Sequence, residues 1–232
     1  MASTREEWDA KHRLAGTEAA EAPVGILCEL LPLLDAMEGR QGSGIKPTSE
    51  VRPLLHRAAL DLACGRGRNA ILLAEHGRHV TAVDWSAEAL GVLENRAQEL
   101  KIRVRRIQKI EEGKQAARAG IDLLQADLET IQLPANRYGL ILCVRYLQRS
   151  LFPQMSRALR TGGMVLFETY TQAQLEFSGG PQDPAHLLKA GELREAFPEL
   201  EVFFYRELRA GQGIASLAAR KRGGRDHNQV AS

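Results

Sequence analysis

The sequence predicts an α/β protein, a doubly wound and mostly parallel sheet with an antiparallel C-terminal hairpin strand. Three observations predict it. From residue 57 onward, short apolar or β-branched runs alternate with segments of helical periodicity. The turn "ACGRG" joins the first run to a helical segment, as in a right-handed β-α-β unit. The last two runs, in "LEVFFYRELRAGQGIASLAARK", flank glycines and form a hairpin.

Residues 1–22 are polar and alanine-rich, a short helix or arm carrying Trp8. "PVGILCELLPLLDAM" has apolar residues at helical spacing with Pro23 near its start, and the Gly/Pro/Ser-rich "EGRQGSGIKPTSEVRP" follows as a loop. Together they make residues 1–54 an N-terminal arm, helix and linker on the lid and substrate side. The domain proper is expected over 55–220. In it "RAALDLAC" is a strand, "RNAILLAEHG" a helix stopped by Gly77, and "HVTAVD" a strand. "SAEALGVLENRAQEL" is the second helix, with Ser86 as N-cap and Glu88 in its first turn. "KIRVRRIQKIEEGKQAARAG" starts with alternation and becomes a charged, helix-compatible run, read as an insertion or extended helix. "IDLLQAD" and "RYGLILCVRY" are strands around the turn residues Pro134 and Asn136; "LFPQMSRALRTGG" is a helix and turn before the strand "MVLFETY". "TQAQLEFSGGPQDPAH" reads as a lid or loop and "LLKAGELREAF" as a helix, while residues 221–232 form a basic, flexible tail.

With 232 residues, one well-buried domain is expected rather than two. The aromatic share of 5% argues against a base-stacking platform, and the formal charge of +2 against a polyanionic partner. Cys28, Cys64 and Cys143 lie far apart with no C-x-x-C pair, so neither a disulfide framework nor a zinc site is signalled, and a reducing, cytoplasmic setting is expected. The charged N-terminus lacks an apolar signal region and no segment approaches the roughly 18 apolar residues of a membrane span.

Ligands of an open α/β sheet sit outside the carboxyl ends of the strands. Gly65, Gly67 and Ala70 satisfy G-x-G-x-x-A, and Asp84 ends the next strand, so a nicotinamide dinucleotide is one reading. Asp61 opposes it, because a carboxylate beside the turn repels a pyrophosphate. S-adenosylmethionine (SAM), with an ammonium and a sulfonium but no phosphate, suits that carboxylate. Asp84 then takes the ribose hydroxyls, Asp127 with the N–H of Leu128 the adenine edge, and Trp85 the adenine face. Other roles stand beside these: Asp61 bonding backbone N–H groups, Trp85 packing, and Cys64 contributing backbone only, since no histidine partner marks it as a nucleophile.

"LDLACGRGR", "VTAVD", "QADLE" and "LRTGGMVLFET" together resemble the Rossmann-like (class I) SAM-dependent methyltransferases over roughly residues 55–220. "REEWDAKHR", "RNAILLAEHGRHVTAVDWS" and "VRYLQRSLFP" with "FETYT" are most similar to the small bacterial-type branch that includes tellurite-resistance and thiopurine-type methyltransferases. The resemblance implies a SAM site at Asp61, Ala63, Cys64, Gly65, Gly67, Asp84, Trp85, Asp127, Leu128 and Val144. Ala63 departs from the pattern, standing where the first motif glycine usually does.

Candidate acceptor contacts follow the fourth and fifth strands: Arg145, Tyr146, Gln148, Arg149, Glu168 and Tyr170. The segment "CVRYLQRS" lacks the [DNS]-P-P-[YFW] signature of many amino-group methyltransferases, and methyl transfer needs positioning more than a base. The expected activity is methyl transfer to a small-molecule nucleophile. Three alternatives stand beside it: RNA or protein methylation through the basic insertion 103–118, an NAD(P)-dependent oxidoreductase, and a non-catalytic SAM-binding protein. Arg103, Arg105, Arg106 and Lys109 form the basic run that an RNA partner would meet.

Overall fold

The computed structural model describes residues 5–14, 22–40, 58–110 and 118–223. Two helices lead in, α1 (Arg5–Leu14) and α2 (Gly25–Arg40, with Pro32 inside it). The core follows as β1 (Ala58–Leu62), α3 (Arg68–Glu75), β2 (His79–Asp84), α4 (Ala87–Glu99), β3 (Val104–Ile107), β4 (Gly120–Gln125) and β5 (Tyr138–Val144). The chain continues through α5 (Leu151–Ala158), β6 (Leu159–Tyr170), α6 (Glu192–Glu195), β7 (Glu201–Arg209) and β8 (Gly213–Arg220). Single 3-10 turns at Gln172–Glu176 and Pro184–His186 lie in the segment expected to be a lid.

The eight strands form one sheet in the order β3-β4-β2-β1-β5-β6-β8-β7. Every pair from β3 to β6 is parallel, and β8 is antiparallel to both β6 and β7. The chain moves outward from β1 to β2 and returns to β5 on the other side of β1, so the switch in strand order lies between β1 and β5. A ligand cleft is expected there.

Both faces of the sheet are covered, which explains the near-continuous apolar runs. Ala59, Val80, Leu140 and Leu142 face one core with Leu27, Leu73, Leu90 and Leu93, while Leu60, Val83, Ile141 and Phe167 face the other. On the second side the Phe152 ring meets Phe167 and Phe197 edge-on, with centroids 5.4 and 5.2 Å apart.

Four expectations are corrected. The segment 103–120 does not continue as a helix among its described residues: Val104–Ile107 pair in parallel with Ile121–Leu124 as an added edge strand. The charged, helix-compatible run that follows lies, at 111–117, outside the described residues. "LRTGG" is not a turn but the opening of β6, and the helix expected in "LLKAGELREAF" shrinks to Glu192–Glu195 behind a left-handed Gly191. Lys221, expected in a free tail, donates its ammonium to Leu159 O at 2.7 Å and exchanges backbone hydrogen bonds with Gly162 and Gly163. Residues 224–232 lie outside the described residues.

Candidate functional site

The turn after β1 needs three residues in the left-handed region: Ala63 at φ 54°, Gly65 at 53° and Gly67 at 77°. Glycine adopts that conformation without strain, and alanine does not. At Gly67 a second reason applies, because a Cβ there would lie 2.1 Å from Leu93 Cδ1 of α4. Gly67 is therefore a packing glycine that lets α4 approach the turn. The buried Cys64 thiol donates weakly to Gly65 O, and burial, then the charges of Asp84 and Asp61, push its pKa up, which removes it as a nucleophile.

Asp61 is 1% exposed on β1. The N–H of Ala70 bonds its carboxyl, yet Oδ2 has no hydrogen-bond partner among the described residues. Burial first, and then the negative charge of Asp84, raise its pKa to about 7 against the opposing pull of Arg68. The Cys143 thiol of β5 is also pushed up by burial and by Asp61, which places Asp61 at the β1–β5 switch.

Asp84 ends β2. Its Oδ2 accepts the Gly65 N–H at 2.7 Å and its Oδ1 the Ser86 N–H at 2.9 Å, so the carboxylate braces the turn it faces. The Ala126 N–H bonds Asp84 O at 3.1 Å, which draws the loop after β4, with Asp127 and the buried Leu128, to the end of β2. Asp127 Oδ1 accepts the Glu129 N–H at 2.8 Å. Trp85 is partly exposed, and its carbonyl accepts from Gln125 Nε2. Burial raises the Tyr146 phenol, and the charges of Glu129, Asp127 and Asp84 act in the same direction, so Tyr146 stands in the field of these acids. Asp61, Asp84 and Asp127 thus converge on one carboxyl edge, with Val144, 7% exposed, ending the neighbouring β5.

Residues 60–167 match the family model described as a methyltransferase domain. Over these residues the chain is similar to a methyltransferase domain, and its sheet has the Rossmann-like fold of the SAM-dependent methyltransferases. Among solved structures sharing the fold, one is titled for the conversion of a disulfide bond into a thioacetal group during echinomycin biosynthesis; it is 16% identical, with coverage of 97% of this chain and 94% of the other and a TM-score of 0.60. A SAM-dependent methyltransferase from Mesorhizobium loti is 18% identical over 89% of this chain and 100% of its own, at a TM-score of 0.54. TehB from Haemophilus influenzae is 18% identical over 81% of this chain and 62% of its own, at 0.55. Curated proteins yield no match. Among the described residues no helix is long and apolar enough to cross a membrane.

SAM is the cofactor that such a domain implies. The residues present fit it. A buried carboxyl oxygen without a partner, Asp61 Oδ2, is costly unless a ligand brings a donor, and the SAM ammonium is one.

The acceptor candidates divide. Arg149 forms a two-pronged ion pair with Glu192 and donates to Ala185 O and Leu187 O, so it clamps the segment before α6 instead of reaching an acceptor. Gln148 contributes its carbonyl to the start of α5. Arg145, Glu168 and Tyr170 do come together. The Arg145 guanidinium lies 4.6 Å above the Tyr170 ring, 3.6 Å from Glu168 Oε1 and 3.0 Å from Gln212 Oε1, while Glu168 Oε2 accepts the Ser216 hydroxyl at 2.7 Å.

Sequence reasoning missed Gln212 and Ser216, which come from the hairpin, and Gln174 of the lid. Gln174 is 2% exposed, accepts the Gly213 N–H at 3.0 Å and donates to Gly179 O at 2.8 Å, tying lid to hairpin. It also missed Asp9 of α1, whose carboxylate takes the Ser86 hydroxyl at 2.5 Å beside Asp84. Trp8, the residue singled out in that helix, has a side chain outside the described residues.

Proposed function

We propose that this protein transfers the methyl group of SAM to a small-molecule nucleophile in a reducing, cytoplasmic setting. The observation that carries the reading is the partnerless, buried Oδ2 of Asp61 beside the braced carboxylate of Asp84. Asp61 would hold the ammonium, Asp84 the ribose hydroxyls, and Asp127 with Leu128 the adenine edge; Ala63, Cys64 and Gly65 would offer backbone, and Val144 and Trp85 apolar surface. When bound, SAM supplies a methyl carbon already activated by its sulfonium. The chain's own residues position the nucleophile and exclude water, for which the lid is tied down by Gln174 and Arg149.

The basic run supports a small acceptor over RNA. Arg105 is paired with Asp122 through both Nε and Nη2, Arg106 with Glu94, and Arg103 donates to the carbonyls of Arg118 and Ala119. These guanidinium groups serve the sheet edge, and phosphates would have to compete for them.

Calorimetry on the full chain tests the reading. SAM or S-adenosylhomocysteine should bind, Asp84→Ala should weaken binding by about 1 to 3 kcal/mol through lost charge-assisted hydrogen bonds, and labelled SAM should pass its methyl to members of a small-molecule panel. Binding of neither ligand overturns the cofactor site; binding without turnover on the panel favours the non-catalytic alternative.

A further inference from the structure

Arg145 follows the last residue of β5, next to Val144 and Tyr146 at the cofactor edge. Its backbone sits at φ 61°, a conformation that non-glycine residues adopt at a cost and that recurs at functional positions. The strain is held by a backbone hydrogen bond from Arg145 N to Glu168 O at 2.7 Å, and it turns the side chain toward Tyr170. The guanidinium is then fixed from three sides: its face by Tyr170, one edge by Gln212, another by the buried carboxylate of Glu168. Glu168 is itself fixed by the Ser216 hydroxyl.

The fixing leaves capacity unused. A guanidinium has five N–H donors, and among the described residues the Arg145 side chain makes one hydrogen bond, to Gln212, because the Glu168 oxygen at 3.6 Å is an ion-pair partner beyond hydrogen-bond range. The side chain remains 27% exposed. At this edge the acids Asp61, Asp84, Asp127 and Glu129 stand with Arg68, whose charge acts on Asp61, while Arg149 is taken up by Glu192. A preorganised fork with unused donors, stacked on the Tyr170 ring, matches a planar carboxylate.

We propose that Arg145 is the specificity-determining residue of the acceptor site and selects a carboxylate-bearing, planar small molecule. This rests on the methyltransferase reading above. The acceptor's carboxylate takes the guanidinium edge not used by Gln212 and Glu168, its flat body lies against Tyr146 and Tyr170, and its nucleophilic atom is presented toward the cofactor edge.

The test uses the full chain, with and without S-adenosylhomocysteine, and matched pairs of aromatic carboxylates and carboxamides: benzoate and benzamide, cinnamate and cinnamamide, indole-3-carboxylate and its amide. Titration should show the carboxylate of at least one pair binding about ten- to a hundredfold more tightly than its amide, the range of a hydrogen bond to a charged group. Arg145→Gln should abolish the preference, and Arg145→Lys should keep only part of it. The double variant Arg145→Gln/Glu168→Gln, which leaves no unpaired buried carboxylate, should behave as Arg145→Gln does if misfolding is not the cause. S-adenosylhomocysteine affinity should stay unchanged in all three. Equal binding of every carboxylate and its amide, or a preference that survives Arg145→Gln, overturns the proposal. So does an equal loss of S-adenosylhomocysteine binding, which would assign Arg145 to the cofactor's own carboxylate. Failure of the wild-type chain to bind S-adenosylhomocysteine, with the carboxylate preference intact, would count against the methyltransferase reading and leave the anion subsite standing.

Discussion

Asp84 accepts the backbone N–H of Gly65 at 2.7 Å, and its charge bears on the buried carboxyl of Asp61. One acid braces the turn, and the same acid helps hold its neighbour's pKa near neutrality.

The first prediction follows from that neighbour. The Asp61 pKa is raised from the ordinary 3.8 to about 7, so the folded state keeps a proton that the unfolded state loses. Stability falls as pH rises between these values and levels above the folded one. Asp61→Asn should remove that loss and stabilise the ligand-free protein at pH 8 by a few kcal/mol, since each pH unit between the unfolded and folded pKa is worth about 1.4 kcal/mol. An ammonium ligand needs the ionised form, so S-adenosylhomocysteine affinity of the wild type should rise about tenfold per pH unit up to neutrality, with proton release. Calorimetry in buffers of different ionisation enthalpy reads that release, and a flat profile between pH 5 and 7 contradicts it.

Ala63 at φ 54° carries strain that glycine would not. Left-handed backbone costs a non-glycine residue roughly 1–2 kcal/mol, and glycine's extra unfolded-state entropy takes back part of it. Ala63→Gly should therefore leave stability unchanged or raise it by up to about 1 kcal/mol, a Tm gain of about 2–4 °C. A clear loss in thermal denaturation would mean that the methyl group packs favourably enough to outweigh the strain.

Gly67→Ala combines positive φ with a Cβ placed 2.1 Å from Leu93 Cδ1. Overpacking and backbone strain together should cost about 2–5 kcal/mol in denaturant unfolding. In the background of Leu93→Ala the same substitution should cost less, because the atom it meets is gone. Additivity of the two changes would show that the conformation alone sets the cost.

Arg149→Ala should open the segment that Arg149 clamps through Ala185 O, Leu187 O and Glu192. Limited proteolysis between residues 171 and 191 should speed up while S-adenosylhomocysteine affinity holds. Unchanged protection would mean that Gln174 and the backbone bonds between Leu188 and the end of β6 suffice.

The alternation of strands and helices and the three strand-end acids were legible because each is written locally. Ser86 read as a cap, and it does accept the Ala89 N–H at 3.1 Å. The strand Val104–Ile107 was not legible as one, since its four residues alternate weakly and only β4 completes their hydrogen bonds. Gly67 read as a cofactor glycine, while its need for a missing Cβ comes from a leucine on another helix.

By itself the sequence determined the fold class and the strand ends on which the proposed cofactor acids stand, because periodicity, turn conformation and the charge at a strand end act within a few residues. Only the tertiary structure decided which arginine is taken up in a two-pronged ion pair and which keeps unused donors. Arg145 and Arg149 are near neighbours of the same residue type, and what separates them is the partners each meets across the fold, Gln212 and Glu168 for one and Glu192 for the other. Such partners are chosen by the packing of lid and hairpin on the sheet, a long-range geometry that no short stretch of sequence encodes.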